Sequence, residues 1–249
     1  MKYYLVTGAS KGLGAALIQT LAGKDSKIIT MSRTGLSEDQ KLGIVDKGGV
    51  VVDLKGDLSE EQTLAKLAAE MMSAVSLEDA ELIVLINNAG GVEPIAPFYK
   101  VDDEAVMTNI HLNLTAPMIF SKYFGQAFKS AKCDRRIITV SSGAGKSPIF
   151  GWNVYCASKA AVDMMTRVIA LEEGDDGILA VSFGPGIMDT GMQSTIRASS
   201  EEDFKDIERF KKFKENGDLL TPEVVAAVIK RLTTEAVAQG AIVSVKDYL

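Results

Sequence analysis

The chain has 249 residues, and its 27 Lys and Arg against 33 Asp and Glu give a formal net charge of −6. Its 47% hydrophobic and 24% charged residues are typical of a folded globular protein and exclude an intrinsically disordered chain. The negative net charge argues against a protein whose main partner is nucleic acid or anionic lipid.

Cysteine and histidine are scarce, since the chain has only Cys133, Cys156 and His111. These are too few for a disulfide framework or a Cys/His zinc site. No metal site is predicted, although a carboxylate site for magnesium or calcium stays open. No apolar run approaches the roughly 20 residues of a membrane-spanning helix, and residues 1–8 are unlike a signal peptide. We therefore expect a cytoplasmic protein with no membrane or nucleic-acid partner.

Seven short runs rich in β-branched residues are predicted to be strands. They are residues 3–7, 27–31, 50–54, 82–86, 136–141, 179–183 and 241–245. Most are continuously apolar, as expected of parallel strands that are covered on both faces. Longer amphipathic stretches alternate with them. This alternation predicts a single doubly wound α/β domain over residues 1–249, with helices on both faces of the sheet.

Helical patterns fill the intervals between the strands. Residues 64–75 have one apolar face, and residues 102–129 and 155–173 are long enough for two central helices. Thr221 and Pro222 have the residue types that begin a helix.

The charge-rich residues 199–216 carry Phe204, Ile207, Phe210 and Phe213 at helical spacing. They form either a surface helix with a solvated outer face or a mobile lid over a neighbouring site. We expect a helical substrate-lid insertion near residues 190–216 within the single domain.

The first predicted strand ends in a glycine-rich turn that opens a helix. Glycines allow the backbone to approach a pyrophosphate, and the helix N-terminus offers unpaired N–H groups to it. Such a turn can be a simple connection, but its place after the first strand favours dinucleotide binding. The predicted contacts are Gly8, Ser10, Lys11, Gly12, Leu13 and Gly14.

The end of the second strand lacks the acidic residue that would bind the ribose 2′-hydroxyl of NAD. Arg33 is there instead, and Lys11 lies in the glycine turn. Two cations that face the same ribose suit a 2′-phosphate. NADP(H) is therefore the expected cofactor, the alternative being that both are solvated surface cations.

Tyr155 and Lys159 are four residues apart and share a face if they are helical. Tyrosine has a pKa near 10, so proton exchange at neutral pH needs a shift of roughly three units, about 4 kcal/mol. A cation at ~4 Å in an effective dielectric of about 20 supplies that amount. The pair suits acid–base chemistry on a carbonyl or alcohol oxygen, although this spacing also occurs by chance.

Three further polar motifs accompany this pair in chain order. Ser142 follows the fifth predicted strand and can donate to the same substrate oxygen as Tyr155. Residues 87–90, Asn-Asn-Ala-Gly, follow the fourth strand, and Asn113 lies in the next long helix. Each motif alone could be a strand-end cap or a solvated helix position, but their joint occurrence favours a catalytic site.

Together these motifs resemble those of the short-chain dehydrogenase/reductase family. The resemblance spans the whole chain and is carried by residues 7–14, Asp57, residues 87–90, Asn113, Ser142, residues 155–159, Pro185, Gly186 and Thr190. It implies a Rossmann-type domain with a seven-stranded parallel sheet in the order 3-2-1-4-5-6-7. A homodimer or homotetramer is also implied.

The resemblance implies a role for each site residue. Tyr155 would be the general acid/base and Ser142 would polarise the substrate oxygen. Lys159 would lower the pKa of Tyr155 and bind the nicotinamide ribose, and Asn113 would hold a water in the proton relay. Further cofactor contacts are implied for Asp57, Leu58, Asn88, Ala89, Gly90, Pro185, Gly186, Ile187 and Thr190.

Residues 141–146, 150–152, 189–193 and 197–200 are similar to those of bacterial benzil reductases and their sepiapterin-reductase-like relatives. This likeness implies NADPH-dependent reduction of a ketone, with a 1,2-diketone converted to a hydroxyketone. Sepiapterin reductases carry a pterin-binding Asp in the last strand, where this chain has Ser244, with Asp247 close by. A pterin substrate is therefore disfavoured.

Apolar residues are expected to line the substrate pocket, although any one of them could belong to the core. The principal candidates are Phe150, Trp152, Met188 and Met192, and they favour a neutral, partly aromatic carbonyl substrate. The alternatives are a sepiapterin reductase, an alcohol dehydrogenase or an acyl-carrier-protein ketoreductase. A non-catalytic dinucleotide sensor is a further alternative, but it would be expected to lose Tyr155 or Lys159.

Overall fold

The computed structural model describes residues 1–249. Seven strands form one parallel sheet, which confirms the predicted order β3-β2-β1-β4-β5-β6-β7. The strands are β1 (Lys2–Thr7), β2 (Ser26–Ser32), β3 (Val50–Lys55), β4 (Leu82–Asn87), β5 (Asp134–Val140), β6 (Leu179–Gly184) and β7 (Ile242–Ser244). Each contains most of a predicted apolar run.

Nine α-helices surround the sheet. They are α1 (Gly12–Leu21), α2 (Glu38–Val45), α3 (Glu61–Ser73), α4 (Asp103–Ile110), α5 (Ala116–Phe128), α6 (Asn153–Glu173), α7 (Gly191–Arg197), α8 (Ile207–Glu215) and α9 (Pro222–Leu232). The predicted start of α9 is confirmed, because the Thr221 hydroxyl accepts a hydrogen bond from the amide of Val224. None of the nine combines the length and the apolar character needed to cross a bilayer.

The side chains of the central strands alternate between two hydrophobic clusters, one on each face of the sheet. On β1, Tyr4 and Val6 join the cluster that includes α1 and α9. Tyr3 and Leu5 join the cluster that includes α3 and α5. Burial on both faces explains why the strand sequences are continuously apolar.

β1 lies where the strand order reverses, between β2 and β4. Its residue Val6 is in register with Thr30 on one side and with Ile86 on the other. Open α/β sheets bind ligands in the crevice that forms at the carboxyl ends of the strands at such a reversal. The predicted site residues all follow the carboxyl ends of strands, so the topology gathers them at this edge.

The stretch 102–129, predicted as one helix, is interrupted. A π-helical turn, His111–Thr115, joins α4 to α5. Asn113 lies in this turn and is 1% exposed. Turns of this kind are frequent at functional sites, and an apolar repeat of 3.6 residues cannot reveal them.

The sequence pattern also misses α2, since Ile44 is its only buried residue and the helix has no apolar face. The sequence feature that marks the start of α2 is a capping box formed by Ser37 and Gln40. The Ser37 hydroxyl accepts from the amide of Gln40, and the Gln40 side chain accepts from the amide of Ser37.

The charge-rich segment forms α8 and the turns before it, and its apolar side chains are not on a free surface. Phe204, Ile207 and Phe210 are buried in a third cluster with Trp152 and Tyr155. The segment therefore covers the carboxyl edge of the sheet. Its movement as a lid stays a prediction.

Candidate active site

Close backbone contacts shape the glycine turn after β1. Gly8 has a φ of +68°, and a Cβ on it would stand 2.8 Å from Ala89 Cα. A Cβ on Gly14 would stand 2.1 Å from the carbonyl oxygen of Gly8. Only glycine fits at these two positions, so the sequence dictates the shape of the turn.

The turn leads to a helix end whose amides are free of side-chain caps, since the N-cap residue Lys11 makes no capping hydrogen bond. Uncapped amides and the helix dipole fit the pyrophosphate of a dinucleotide. Ser10 and Gly12 lie in the same turn. The Leu13 side chain is buried in the α1 cluster, so only its backbone can contact a cofactor.

Asn88 joins the ends of β1 and β4. Its side-chain amide donates to the carbonyl oxygens of Thr7 at 2.9 Å and Gly8 at 3.1 Å. The Thr7 hydroxyl in turn accepts from the amides of Asn88 and Ala89 at 3.0 and 3.1 Å. Because both of its amide protons are used within the protein, Asn88 holds the glycine turn in place.

Exposed cations flank the other side of the crevice. Lys11 and Arg33 are both exposed and form no ion pair. Burial disfavours the charged form of Asp57, but the Ser59 hydroxyl at 2.7 Å, the Ser59 amide and the Arg33 charge together lower its pKa. Arg33 is thus near enough to Asp57 to act on its charge, although the two form no ion pair. The side chain of Leu58 is buried in the α3 cluster.

The loop after β6 meets the glycine turn. A Cβ on Gly12 would stand 3.5 Å from Thr190 Cγ2. Backbone hydrogen bonds fix this loop, because the amide of Leu220 donates to the carbonyl of Ile187 at 3.0 Å. Pro185 is buried, and Gly186 turns the backbone with a φ of +73°. The residues predicted to flank the nicotinamide are therefore next to those predicted to bind the pyrophosphate.

Tyr155, Lys159 and Ser142 are gathered at the carboxyl end of β5. Tyr155 and Lys159 are buried on one face of α6, as their spacing predicts. Lys159 Nζ lies 5.7 Å from the Tyr155 ring centroid and donates to the carbonyl of Val140 at 3.0 Å. Ser142 Oγ accepts from the amide of Ala144 at 3.2 Å, so its own proton can be donated to Tyr155 or to a substrate oxygen.

Burial raises the pKa of Tyr155, and the hydrogen bond with Ser142 offsets this only in part. The expected lowering of this pKa by Lys159 is therefore not found. Burial lowers the pKa of Lys159 to about 8, against the opposing effect of Asp163. At neutral pH Tyr155 holds its proton and most Lys159 side chains are charged, which is the state that donates a proton.

For the carbonyl reduction expected from the sequence, this arrangement predicts a pH dependence. The Lys159 ammonium is present below pH 8 and is lost as the pH rises through about 8, whereas Tyr155 stays protonated over this range. We expect kcat/KM for reduction to fall above a pH of about 8. A pH profile of ketone reduction checks this, and a profile that stays flat up to pH 10 would contradict it.

Asn113 and a second asparagine form a network that the sequence reading missed. Asn113 Oδ1 accepts from the amide of Gly91 at 3.0 Å, and its Nδ2 donates to the Gly91 carbonyl and to Asn109 Oδ1, both at 2.8 Å. Asn109 donates to the carbonyl of Glu93 at 2.6 Å. The Asn113 side chain thus holds the loop that contains Gly90. Two asparagines four residues apart in a helix are the signal that could have identified Asn109.

Two of the four predicted pocket residues lie near the tyrosine. The Trp152 ring packs edge-on against Tyr155 at 5.4 Å and stacks on Phe204 at 5.1 Å. Met192 packs against the same cluster. These side chains give the site a largely apolar, aromatic wall.

The structure does not bring the other two pocket candidates to the tyrosine. Phe150 is 47% exposed, with the Lys205 ammonium 5.8 Å from its ring centroid, and the following Gly151 turns the chain with a φ of +82°. Met188 packs against the α1 and α9 cluster, where it bridges to Leu220.

Ion pairs made by two lysines attach the covering segment, residues 199–216, to the rest of the domain. Lys100 pairs with Glu202, and Lys214 pairs with Asp189 at 2.5 Å. The segment also lies directly on Gly151, where a Cβ would stand 2.1 Å from the carbonyl oxygen of residue 203. This close approach keeps the aromatic wall in place over Tyr155.

Comparison with known proteins gives consistent matches along the chain. A family model described as short chain dehydrogenase matches residues 2–201. Benzil reductase ((S)-benzoin forming) of Bacillus cereus is 39% identical over 250 residues, which are 99% of this chain and 100% of that protein. Sepiapterin reductase of Bos taurus is 33% identical over 205 residues, 79% of this chain and 76% of that protein.

Among solved structures, a putative NAD(P) dependent gluconate 5-dehydrogenase from Beutenbergia cavernae, with bound NADP at low occupancy, superposes with a TM-score of 0.84. It is 27% identical, and the match covers 98% of this chain and 94% of that one.

Proposed function

The chain belongs to the short-chain dehydrogenase/reductase family, and we propose that it is an NADPH-dependent ketone reductase that converts 1,2-diketones to hydroxyketones. Family membership makes it an oxidoreductase that uses a nicotinamide dinucleotide. The observation that carries the proposal is the buried pair of Tyr155 and Lys159 beside Ser142, at the edge where the glycine turn lies.

The chain's own residues transfer the proton and orient the substrate. A nicotinamide dinucleotide supplies the hydride when it is bound at the glycine turn. Ser142 donates a hydrogen bond to the carbonyl oxygen, and Tyr155 transfers its proton to that oxygen. The Lys159 ammonium, held by the Val140 carbonyl, stabilises the phenolate that Tyr155 becomes. Burial of Tyr155 and Lys159 excludes water from them and strengthens their electrostatic interactions.

The preference for NADPH is supported by Lys11 and Arg33, two exposed cations without ion-pair partners. Arg33 stands where an acid would be needed for the ribose 2′-hydroxyl of NAD. The relative from Beutenbergia cavernae, whose structure contains NADP, supports the same choice.

The choice of a diketone is supported by the likeness to benzil reductase and by the aromatic wall of the site. A neighbouring carbonyl withdraws electron density and makes the attacked carbon a better hydride acceptor. A pterin is less well supported. Ser244 takes the place of the pterin-binding acid, and the Asp247 carboxylate accepts from the Ser244 amide at 2.7 Å within its own turn.

A panel of carbonyl compounds assayed by NADPH oxidation tests the proposal. We expect benzil, 1-phenyl-1,2-propanedione and diacetyl to be reduced faster than matched monoketones. If diketones are inert while a monoketone, a pterin or a sugar is reduced well, the diketone proposal is wrong and the reductase proposal survives. NADPH binding without turnover of any carbonyl would instead favour a non-catalytic sensor.

Two methionines provide a matched test of the substrate wall. Met192 packs near Tyr155, and Met188 packs against the opposite cluster. We expect Met192→Ala to lower kcat/KM for benzil about 5- to 30-fold, because apolar surface that benzil would cover is removed. Diacetyl, which is smaller, should be affected less. Met188→Ala is the control, and an equal loss of benzil reduction in both variants would contradict the assignment.

We also propose a homodimer or homotetramer. Apolar side chains on α5 and α6 are unusually exposed, with Met118 50%, Met164 56% and Leu171 83% accessible. Light scattering on the purified protein checks this, and a monomer at micromolar concentration would contradict it. A cytoplasmic location stays a prediction.

A further inference from the structure

Asp163 is a buried carboxylate that neither the cofactor cradle nor the substrate wall uses. It is 6% exposed and follows Lys159 by four residues on α6, so the two side chains share a face of the helix. Its Oδ1 accepts a hydrogen bond from the hydroxyl of Ser182 on β6 at 2.5 Å. A buried carboxylate is costly unless it is hydrogen-bonded and compensated by a cation. Ser182 supplies the hydrogen bond, and the charge of Lys159 can compensate the charge of Asp163.

The surroundings of Lys159 contain no other carboxylate. On its own helix the titratable neighbours are Tyr155, which keeps its proton, the thiol of Cys156, and Asp163, the only carboxylate of the three. The groups contributed by the other elements are neutral: the Val140 carbonyl from β5, Gly90 after β4, Asn113 from the π turn and Ser182 from β6. Gly90 lies close to both side chains, since a Cβ on it would stand 2.9 Å from Asn113 Oδ1 and 3.5 Å from Lys159 Nζ.

Asp163 has no competing cation. Arg167 is one turn further along α6 but is exposed, whereas Lys159 is buried like Asp163. Neither cation forms a direct ion pair with Asp163, so the carboxylate acts on Lys159 through space. The buried negative charge of Asp163 therefore acts mainly on the buried positive charge of Lys159.

We propose that Asp163 is a positioning residue for proton transfer: its carboxylate, held by Ser182, keeps the Lys159 ammonium charged, while the Val140 carbonyl holds that ammonium beside Tyr155. This inference rests on the proposed reductase function. Burial and Asp163 act on Lys159 in opposite directions, since burial lowers its pKa and Asp163 raises it. Without the carboxylate only the effect of burial remains.

The titration of the Lys159 side chain tests this directly and needs neither cofactor nor turnover. Lysine labelled with ¹³C at Cε is followed by NMR, and the Lys159 signal is assigned by its loss in Lys159→Met. The expected midpoint is about 8 in the wild type. We expect it about one unit lower in Asp163→Asn, the effect of a unit charge one helical turn away in a screened interior. Asp163→Glu keeps the charge and should restore the midpoint.

The pH profile of ketone reduction gives a second readout that a purely structural role would not move. We expect the high-pH limb of kcat/KM in Asp163→Asn to shift in the same direction by about one unit. If Asp163→Asn does not fold, Asp163→Ser removes the same charge and is measured instead. An unchanged Lys159 midpoint in a folded, charge-free variant would overturn the inference. If the wild type reduces no carbonyl, the proposed function fails, and the NMR titration still decides the role of Asp163.

Discussion

Tyr155→Phe should lower kcat for carbonyl reduction about 100-fold or more, because it removes the hydroxyl whose proton is transferred to the substrate oxygen. The affinity for NADPH should stay nearly unchanged. The substitution deletes one hydroxyl and keeps the ring, whose edge-on contact with Trp152 at 5.4 Å does not need that hydroxyl. Steady-state NADPH oxidation measures kcat, and quenching of protein fluorescence measures NADPH binding.

Tyr4→Phe is a matched control for this prediction. Tyr4 is also a buried tyrosine whose pKa is raised by burial, but it belongs to the α1 and α9 cluster. We expect it to keep kcat near the wild-type value even if it unfolds at a lower temperature. Near-normal turnover in Tyr155→Phe would refute the acid–base role. Equal losses in the two variants would point to a general loss of stability.

The sheet was predictable because burial on both faces leaves a direct trace in the sequence. β1 alternates between two clusters, so every residue from Tyr3 to Val6 must be apolar or aromatic. The burial of Tyr155 and Lys159 on one face of α6 was predictable for a similar reason, since positions four apart share a helix face. In both cases the local sequence determines the geometry.

The substrate wall was less predictable, because an apolar residue does not show which cluster it joins. Met188 and Met192 are alike in sequence, yet they pack against different clusters on either side of the start of α7. Phe150, next to the turn at Gly151, is about half exposed. The π turn around Asn113 and the contact between Asp163 and Ser182 depend on tertiary packing, so no local pattern predicts them.

Arg33→Ala should lower kcat/KM for NADPH about 10- to 150-fold, which is the loss expected for a charge-assisted hydrogen bond to a phosphate. Catalysis with NADH should change little, because NADH lacks the 2′-phosphate. Kinetics with both cofactors, for the wild type and the variant, measure the effect. Arg167→Ala, which removes another exposed arginine, is the control. Equal use of NADPH and NADH by the wild type would refute the assignment.

The electrostatic effect of Arg33 on Asp57 allows a competing explanation to be separated from this one. The charge of Arg33 helps to lower the pKa of Asp57, so the arginine could act by holding the turn after β3. In that case Arg33→Ala would impair NADPH and NADH equally, and added salt would weaken the binding of both alike. If Arg33 binds a phosphate, raised salt weakens NADPH binding more than NADH binding in the wild type. This difference should become smaller in Arg33→Ala, because Lys11 is then the only one of the two cations left for salt to screen.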